Sequence, residues 1–363
     1  MVDFTPSPHG TIGVEFEATV IDRSSGMPLL IAEQIADEAQ RVQRRGVVSV
    51  DTFLSTLELT TDVCHSMAEV RADLLGQWQF LRPLLDARDA SLLGMGLHPV
   101  ATGLPVITSP RIDQVRRVTS WPSERIHTTG THVHVGMPDG DTAVRTAARV
   151  QEQLPVLLAL SAASPFYDGR RTGLASTRMS LFDAIPRTGV TPDFTCWADY
   201  AGYFSALAQS DPGSSFRDAW WDVRLQPAYG TIEIRVMDSV ADLDDIVALC
   251  ALTWCLAMTD ADLPGAGLSR VLLAENRWRA IRDGLDAQFI VDAQGETMPL
   301  RTLADGLIDA LGPTAARLGC SAELERCHVL ADGRAAHQSL VRADGADAGK
   351  PIEVALQALR VDW

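Results

Sequence analysis

The strongest constraint on this chain comes from four short segments in which apolar and polar residues alternate with a period of two, set among stretches of helical periodicity. They are Thr11–Val20, Phe53–Thr60, Thr131–Gly136 and Thr231–Asp238. Period two is the signature of a strand with one face buried, and the gaps between the segments are too long for hairpins. Helical patterns fill those gaps: Ile31–Arg44, Met67–Leu85, Asp141–Ser161, Trp197–Gln209, Asp242–Thr259 and Ser269–Leu285. Ser66 with Glu69 three residues later predicts a capping box for the second of them. The stretch from Pro99 to Pro122 reads as a long loop, and from Pro299 onward the pattern is almost wholly helical, with a break at Gly312-Pro313. The expectation is an α+β fold whose sheet carries helices on one face. No repeat, low-complexity tract or linker divides the 363 residues, so 1–363 is expected to be a single domain with a helical C-terminal part from about residue 299.

Composition narrows the function classes. With 31 basic against 47 acidic residues the formal net charge is −16, which argues against a nucleic-acid partner. No apolar run approaches the ~20 residues of a membrane span. The N-terminal MVDFTPSPHG lacks the basic and apolar regions of a signal peptide, so a cytoplasmic location is expected. The six cysteines show no CxxC pair and no zinc spacing, and read as reduced, mostly buried thiols.

The strand faces carry the chemistry. Successive side chains point to opposite sides. Thr11–Val20 therefore puts Ile12, Val14, Phe16, Ala18 and Val20 on a core face, with Glu15 and Glu17 on the other, roughly 7 Å apart. Glu58 stands opposite the apolar Leu57 and Leu59; His132 and His134 stand opposite Val133 and Val135. In the last segment Ile232, Ile234 and Val236 face inward, and Glu233, Arg235 and Met237 share the polar face. Each strand alone is an ordinary solvated sheet face. Combined in one sheet, they gather four glutamates, two histidines and an arginine without a lysine, a concentration of negative charge that calls for cations. Oxygen donors with an occasional imidazole suit Mg²⁺ or Mn²⁺ better than zinc. Ser164–Ser180 reads as a loop bearing Arg170, Arg171 and Arg178, and Arg224 precedes the Glu233 strand; such arginines suit phosphate or carboxylate.

Several motifs in order then resemble the glutamate–cysteine ligase family, in its bacterial carboxylate–amine ligase branch. They are GVEFE (13–17), LELTTDVC (57–64), GTHVHVG (130–136), SPFYDGRRTGLASTR (164–178), QPAYGTIEIRVMD (226–238) and ENRWRAIRDGLDA (275–287). The resemblance implies a twisted, mainly antiparallel sheet forming a funnel, similar to the catalytic domain of glutamine synthetase, with helices outside. It implies ATP and Mg²⁺ as cofactors, with Mn²⁺ an alternative. It matches Glu15, Glu17, Glu58, Glu233 and His132 to metal-binding positions and Arg235 to the arginine facing the transferring phosphoryl group. Arg178 falls in a substrate or nucleotide loop, and His134 and Arg224 are assigned with His132 and Arg235 to the nucleotide end. The implied substrates are an acid, L-glutamate, and an amine, cysteine or another; a homodimer is expected. Two positions depart from the branch pattern: Phe16 replaces the middle of three glutamates, and Asp51 replaces a longer acid upstream of Glu58. No Walker motif exists, since Gly345–Lys350 lacks both its spacing and its Ser/Thr. Two other readings stand beside this one: a ligase fold kept as a non-catalytic nucleotide or amino-acid binder, and a metal-dependent hydrolase built on the HxH strand.

Overall fold

Alternation of buried and polar side chains builds the sheet around its longest strand, β1 (Ile12–Asp22), in a computed structural model that describes residues 3–41, 45–211, 213–342 and 350–363. The other strands are β2 (Val47–Val50), β3 (Thr56–Thr60), β4 (Ala90–Leu93), β5 (Gly130–Gly136), β6 (Val223–Gln226) and β7 (Thr231–Asp238). The order is β6-β7-β5-β1-β3-β2, with β4 paired to the end of β1. Every pairing in this sheet is antiparallel, and the sheet stays open, with β6 and β2 at its edges. The predicted α+β architecture is therefore the observed one.

One face is the core. Val14, Phe16, Leu57, Leu59, Val133, Val135, Ile232 and Ile234 are all buried on it. The helices that cover it are α1 (Ala32–Gln40), α2 (Met67–Asp86), α3 (Pro110–Thr119), α4 (Gly140–Gln151), α5 (Leu154–Ser161), α6 (Thr177–Phe182), α7 (Trp197–Ser210), α8 (Leu243–Met258), α9 (Arg270–Asp283), α10 (Leu300–Leu318) and α11 (Ser321–Ala331), except that α3 and α6 border the opposite face. Helix α8 is apolar all round because it lies between the sheet and α10 with α11; its residues from Asp245 to Ala257 are all buried. Helix α5 is buried along its whole length for the same reason, between β7 and α9.

Several local expectations are revised. The predicted helix Asp141–Ser161 is two helices, because Pro155 starts a new first turn where its missing N–H costs nothing. Helix α10 runs through Pro313 instead of breaking there; burial of Leu307, Leu311 and Ala315 offsets the lost backbone bond. The stretch Pro99–Pro122 contains α3, capped by Ser109, which accepts the N–H of Ile112 at 3.2 Å. Ser66 caps α2, but the Glu69 carboxylate reaches the N–H of His65, one residue ahead of the predicted box. Three strands of the sheet are missing from the sequence reading: β2 and β6 form short-loop hairpins with β3 and β7, and β4 pairs with the end of β1. The end of the first predicted helix, 42–44, and most of the glycine–lysine fragment, 345–349, lie outside the described residues.

Candidate functional site

Strand register decides which polar side chains meet. Glu17 pairs with Glu58 across β1 and β3, and Glu15 with His132 across β1 and β5. Glu233 pairs with His134 across β7 and β5, and with Arg224 across β7 and β6. All project from the face opposite the core. Above them lies a cavity of about 620 Å³ lined by Glu15, Glu17, Asp51, Glu58, His132, Arg178, Arg224 and Arg235, with α3 and the segment around Trp220 forming an apolar wall.

The acids form two groups. In the first, oxygens of Glu17, Asp51 and Glu58 lie within 4.8 Å of one another. Burial, Asp51 and Glu58 push Glu17 well above the usual carboxylate range. Burial, then Glu15 and Asp51, push Glu58 up to about 8, and burial also raises Asp51. Glu17 accepts the backbone N–H of Gly130 at 2.7 Å, and Glu58 accepts the hydroxyl of Thr60 at 3.1 Å. In the second group, Glu15, His134 and Glu233 offer two oxygens and one nitrogen within the same 4.8 Å. Here cations win over burial. Burial raises Glu15, but His134 and hydrogen bonds from His132 and His134 bring it below its ordinary value. Glu233 is likewise lowered, against burial, by Arg224 and Arg235. Arg224 grips it with Nε at 2.7 Å and Nη2 at 3.1 Å, and Gln226 and Arg235 also donate to it. His134 is raised because Glu15 and Glu233 outweigh its burial.

His132 lies between the groups, its Nδ1 3.1 Å from Glu15 and 3.7 Å from Glu17. Burial, then Arg235, push it down to about 4, so its ring is neutral near pH 7. Beyond it is Arg178, on α6 and not in a loop, almost fully buried. Its guanidinium approaches His132 Nε2 at 3.5 Å, donates to the backbone oxygen of Arg235 at 3.3 Å, and lies 3.8 Å from Asp238. It fits only because residue 130 is glycine: a Cβ there would stand 2.2 Å from Arg178 Nη2.

The strand β7 departs from strict alternation. Its register against β5 shifts between Ile234 and Met237, a bulge, while on the other side the Arg235 N–H continues the ladder toward β6, donating to the oxygen of Asp222 at 2.9 Å. After the bulge Met237 pairs with Thr131 and packs on α8 at Thr253, so it belongs to the core and not to the polar face predicted for it. Asp238 takes its place, accepting Ser164 at 2.6 Å and Ser176 at 2.9 Å.

Every residue singled out for the site on the four strands reaches this face, together with Arg224 and Arg178. Arg224 sits on strand β6, not in a loop. Arg171 does not join them; it is tied to the oxygens of Leu340 and Val341. Asp51, noted only as a departure from a pattern, completes the first acid group, and Gln226 and Asp238 went unread. His98, His127, His328 and His337 bond to Gly26, Ser55 and Thr56, Asp305, and Leu160 respectively, away from the two groups.

The donor set fits divalent metal ions. Burial and the neighbouring acids raise the proton affinity of all three carboxyls of the first group, the environment a hard cation would relieve, and their oxygen ligands suit Mg²⁺ or Mn²⁺. The second group adds one imidazole to two carboxylates, which the same ions accept.

An open antiparallel sheet with helices behind it and acids, histidines and arginines in front defines a glutamine-synthetase-like fold. Solved structures share it, among them two enzymes by their names. One is a glutamate–cysteine ligase from Francisella tularensis in complex with AMP (TM-score 0.62, 13% identity, 98% of this chain and 94% of that one). The other is a bifunctional glutathione synthetase from Pasteurella multocida (TM-score 0.64, 13% identity, 96% of this chain and 52% of that one). Residues 11–356 match the model of glutamate-cysteine ligase family 2. Proteins provisionally named glutamate–cysteine ligase 2 from Thermobifida fusca and 2-1 from Rubrobacter xylanophilus are 33% and 36% identical, over 89% and 86% of this chain and 84% and 85% of theirs. This chain belongs to glutamate-cysteine ligase family 2.

Proposed function

We propose that this protein is an ATP- and Mg²⁺-dependent carboxylate–amine ligase that forms an amide through an acyl phosphate and releases ADP and phosphate. The observation that carries the reading is the pairing of two metal-sized groups of acids with Arg178, Arg224 and Arg235 around one cavity. Glu15, Glu17, Glu58, Glu233 and His132 are the proposed metal-binding residues, with Asp51 and His134 added by their positions in the two groups. When bound, Mg²⁺ would neutralise the phosphates of ATP and favour attack at the γ-phosphorus.

The chain's own groups do the rest. Arg235, held by Glu233 at the bulge, presents its remaining N–H groups toward the cavity for the oxygens of the transferring phosphoryl group. Arg178 supports Arg235 from below, and Glu233 in turn orients both Arg235 and Arg224. His132, His134 and Arg224 serve the nucleotide end. A carboxylate oxygen of the acid substrate bonds to the γ-phosphorus as the bond to ADP breaks. The amine nitrogen then attacks the acyl carbon, loses its proton, and phosphate leaves.

L-glutamate is the proposed acid, giving a γ-glutamyl amide, and cysteine or another amine the nucleophile. The relatives' names and the AMP-bound neighbour support this choice. The test is ADP release with ATP, Mg²⁺, L-glutamate and hydroxylamine, a small nucleophile that intercepts acyl phosphates. ADP with an equal amount of hydroxamate supports carboxylate activation. No ADP with glutamate or a panel of other acids favours the non-catalytic binder. A metal-dependent hydrolase is the weaker reading, because His98, His127, His328 and His337 bond away from the two groups.

A further inference from the structure

The motif ENRWR on α9 lies behind the site, and no step above uses it. Its central residue, Arg277, is 6% exposed. It reaches two aspartates on different elements: Nε lies 2.6 Å from Asp222 and Nη1 2.8 Å from Asp183. Asp222 is buried and immediately precedes β6, the strand of Arg224; its backbone oxygen takes the N–H of Arg235 at the bulge. Asp183 is the C-cap of α6, the helix that carries Arg178. Arg178 closes the loop by donating to the backbone oxygen of Arg235. One side chain thus ties together the three elements that aim Arg178, Arg224 and Arg235.

Stability alone is a poor account of this cluster. Asp222 Oδ1 and Arg277 Nη2 are buried without a hydrogen-bond partner among the described residues. A buried ion pair gains little over an apolar replacement, and unmet polar atoms make it worse. What Arg277 supplies in return is position: the bulged backbone of Arg235 and the end of α6 are held at a fixed separation by a planar, two-armed group.

We propose that Arg277 is a positioning residue for the phosphoryl-binding arginines, acting from outside the cavity through Asp222 and Asp183. This rests on the ligase reading. The test compares Arg277→Met and Arg277→Lys with Arg326→Met, which breaks another pair with a buried aspartate, Asp245, remote from the site. Three quantities are measured: thermal unfolding, kcat and KM for ATP in the hydroxylamine assay, and the affinity for ADP–Mg²⁺ with and without aluminium fluoride, a mimic of the transferring phosphoryl group. Arg277→Met is expected to lose about 100-fold in kcat, the scale of a 1 Å misplacement, while KM and ADP–Mg²⁺ affinity hold within about threefold. The gain in affinity from aluminium fluoride should shrink with kcat, and Arg277→Lys, keeping the charge, should recover part of both. Arg326→Met should lower the melting temperature and leave kcat unchanged. A folded Arg277→Met with wild-type kcat and fluoride response overturns the positioning role alone, as does a kcat loss that Arg326→Met reproduces at equal destabilisation. A wild-type chain that binds no ADP–Mg²⁺ overturns the ligase reading, and the positioning role with it.

Discussion

Glu17 and Glu58 stand directly opposite each other on neighbouring antiparallel strands, with Asp51 completing a group whose oxygens lie within 4.8 Å. Like charges in that position destabilise a sheet unless something neutralises them. In the metal-free protein that something is protons. Glu58, pushed up to about 8 from an ordinary 4.5, keeps a proton in the folded chain that the unfolded chain releases. Its contribution to stability is therefore complete below pH ~4.5 and is lost as the pH rises through about 8. Metal-free protein should lose melting temperature across that window, and Mg²⁺ should restore it most strongly at the alkaline end. Glu58→Gln should flatten the pH dependence. Identical profiles for wild type and Glu58→Gln would remove the cluster from the account.

The same geometry predicts the catalytic cost of losing one acid. Glu58→Gln and Glu233→Gln each remove a carboxylate from a separate one of the two proposed metal groups, and Glu233→Gln also loosens Arg224 and Arg235. Each variant should fold and retain less than about 1% of the ADP release, the scale at which one electrostatic contact in a transition state is felt. Retention of more than a few per cent by either would contradict its assignment to the metal site.

Gly130 tests Arg178 without touching it. A methyl group at residue 130 meets the guanidinium at 2.2 Å, so Arg178 must move from His132 and from Arg235. Gly130→Ala should cost about 1–3 kcal/mol of stability through overpacking. Its kcat should fall about 100-fold, with KM for ATP little changed. Equal kcat in wild type and variant would show that the buried arginine serves only the fold.

Much of this site was legible because a strand's period is short and strict. The partition of Glu15, Glu17, Glu58, His132, His134 and Glu233 from their apolar neighbours follows from alternation, and the sheet needs only to bring those faces together. What escaped has local causes. The bulge at Arg235 adds a residue without any compositional mark, so Met237 was assigned to the wrong face and Asp238 was overlooked. The β6 strand is four residues long and follows two tryptophans, too short for a visible period. Helix α3 has only three apolar side chains, Ile112, Val115 and Val118, among charged ones, and two flanking prolines made it read as loop. Asp51 sits in the turn before β3, where alternation says nothing about direction. Arg277 lies on a helix far along the chain, and its contact with Asp222 is purely tertiary.

Phe16 separates the fold from the site. Its flanking residues, Glu15 and Glu17, face the cavity, while its own ring is buried on the core side 5.2 Å from the ring of Trp363. Phe16→Ala should lower stability by about 3–5 kcal/mol, the usual cost of emptying an aromatic core position. Mg²⁺ affinity, measured below the variant's melting transition, should stay within about threefold of wild type, since the two proposed metal groups keep all their side chains. A selective loss of Mg²⁺ binding with unchanged stability would place Phe16 in the site instead.

The central claim is that a carboxylate is activated by phosphorylation on this sheet face, and oxygen transfer tests it most directly. The acid that supports ADP release is supplied with ¹⁸O in both oxygens of its reacting carboxylate, together with ATP, Mg²⁺ and the amine or hydroxylamine. The account predicts that each phosphate released carries one ¹⁸O, because the attacking carboxylate oxygen leaves with phosphorus when the amide forms. Phosphate free of label, in amounts matching the ADP, would mean that ATP is hydrolysed by water without activating the acid, and would contradict the acyl-phosphate mechanism.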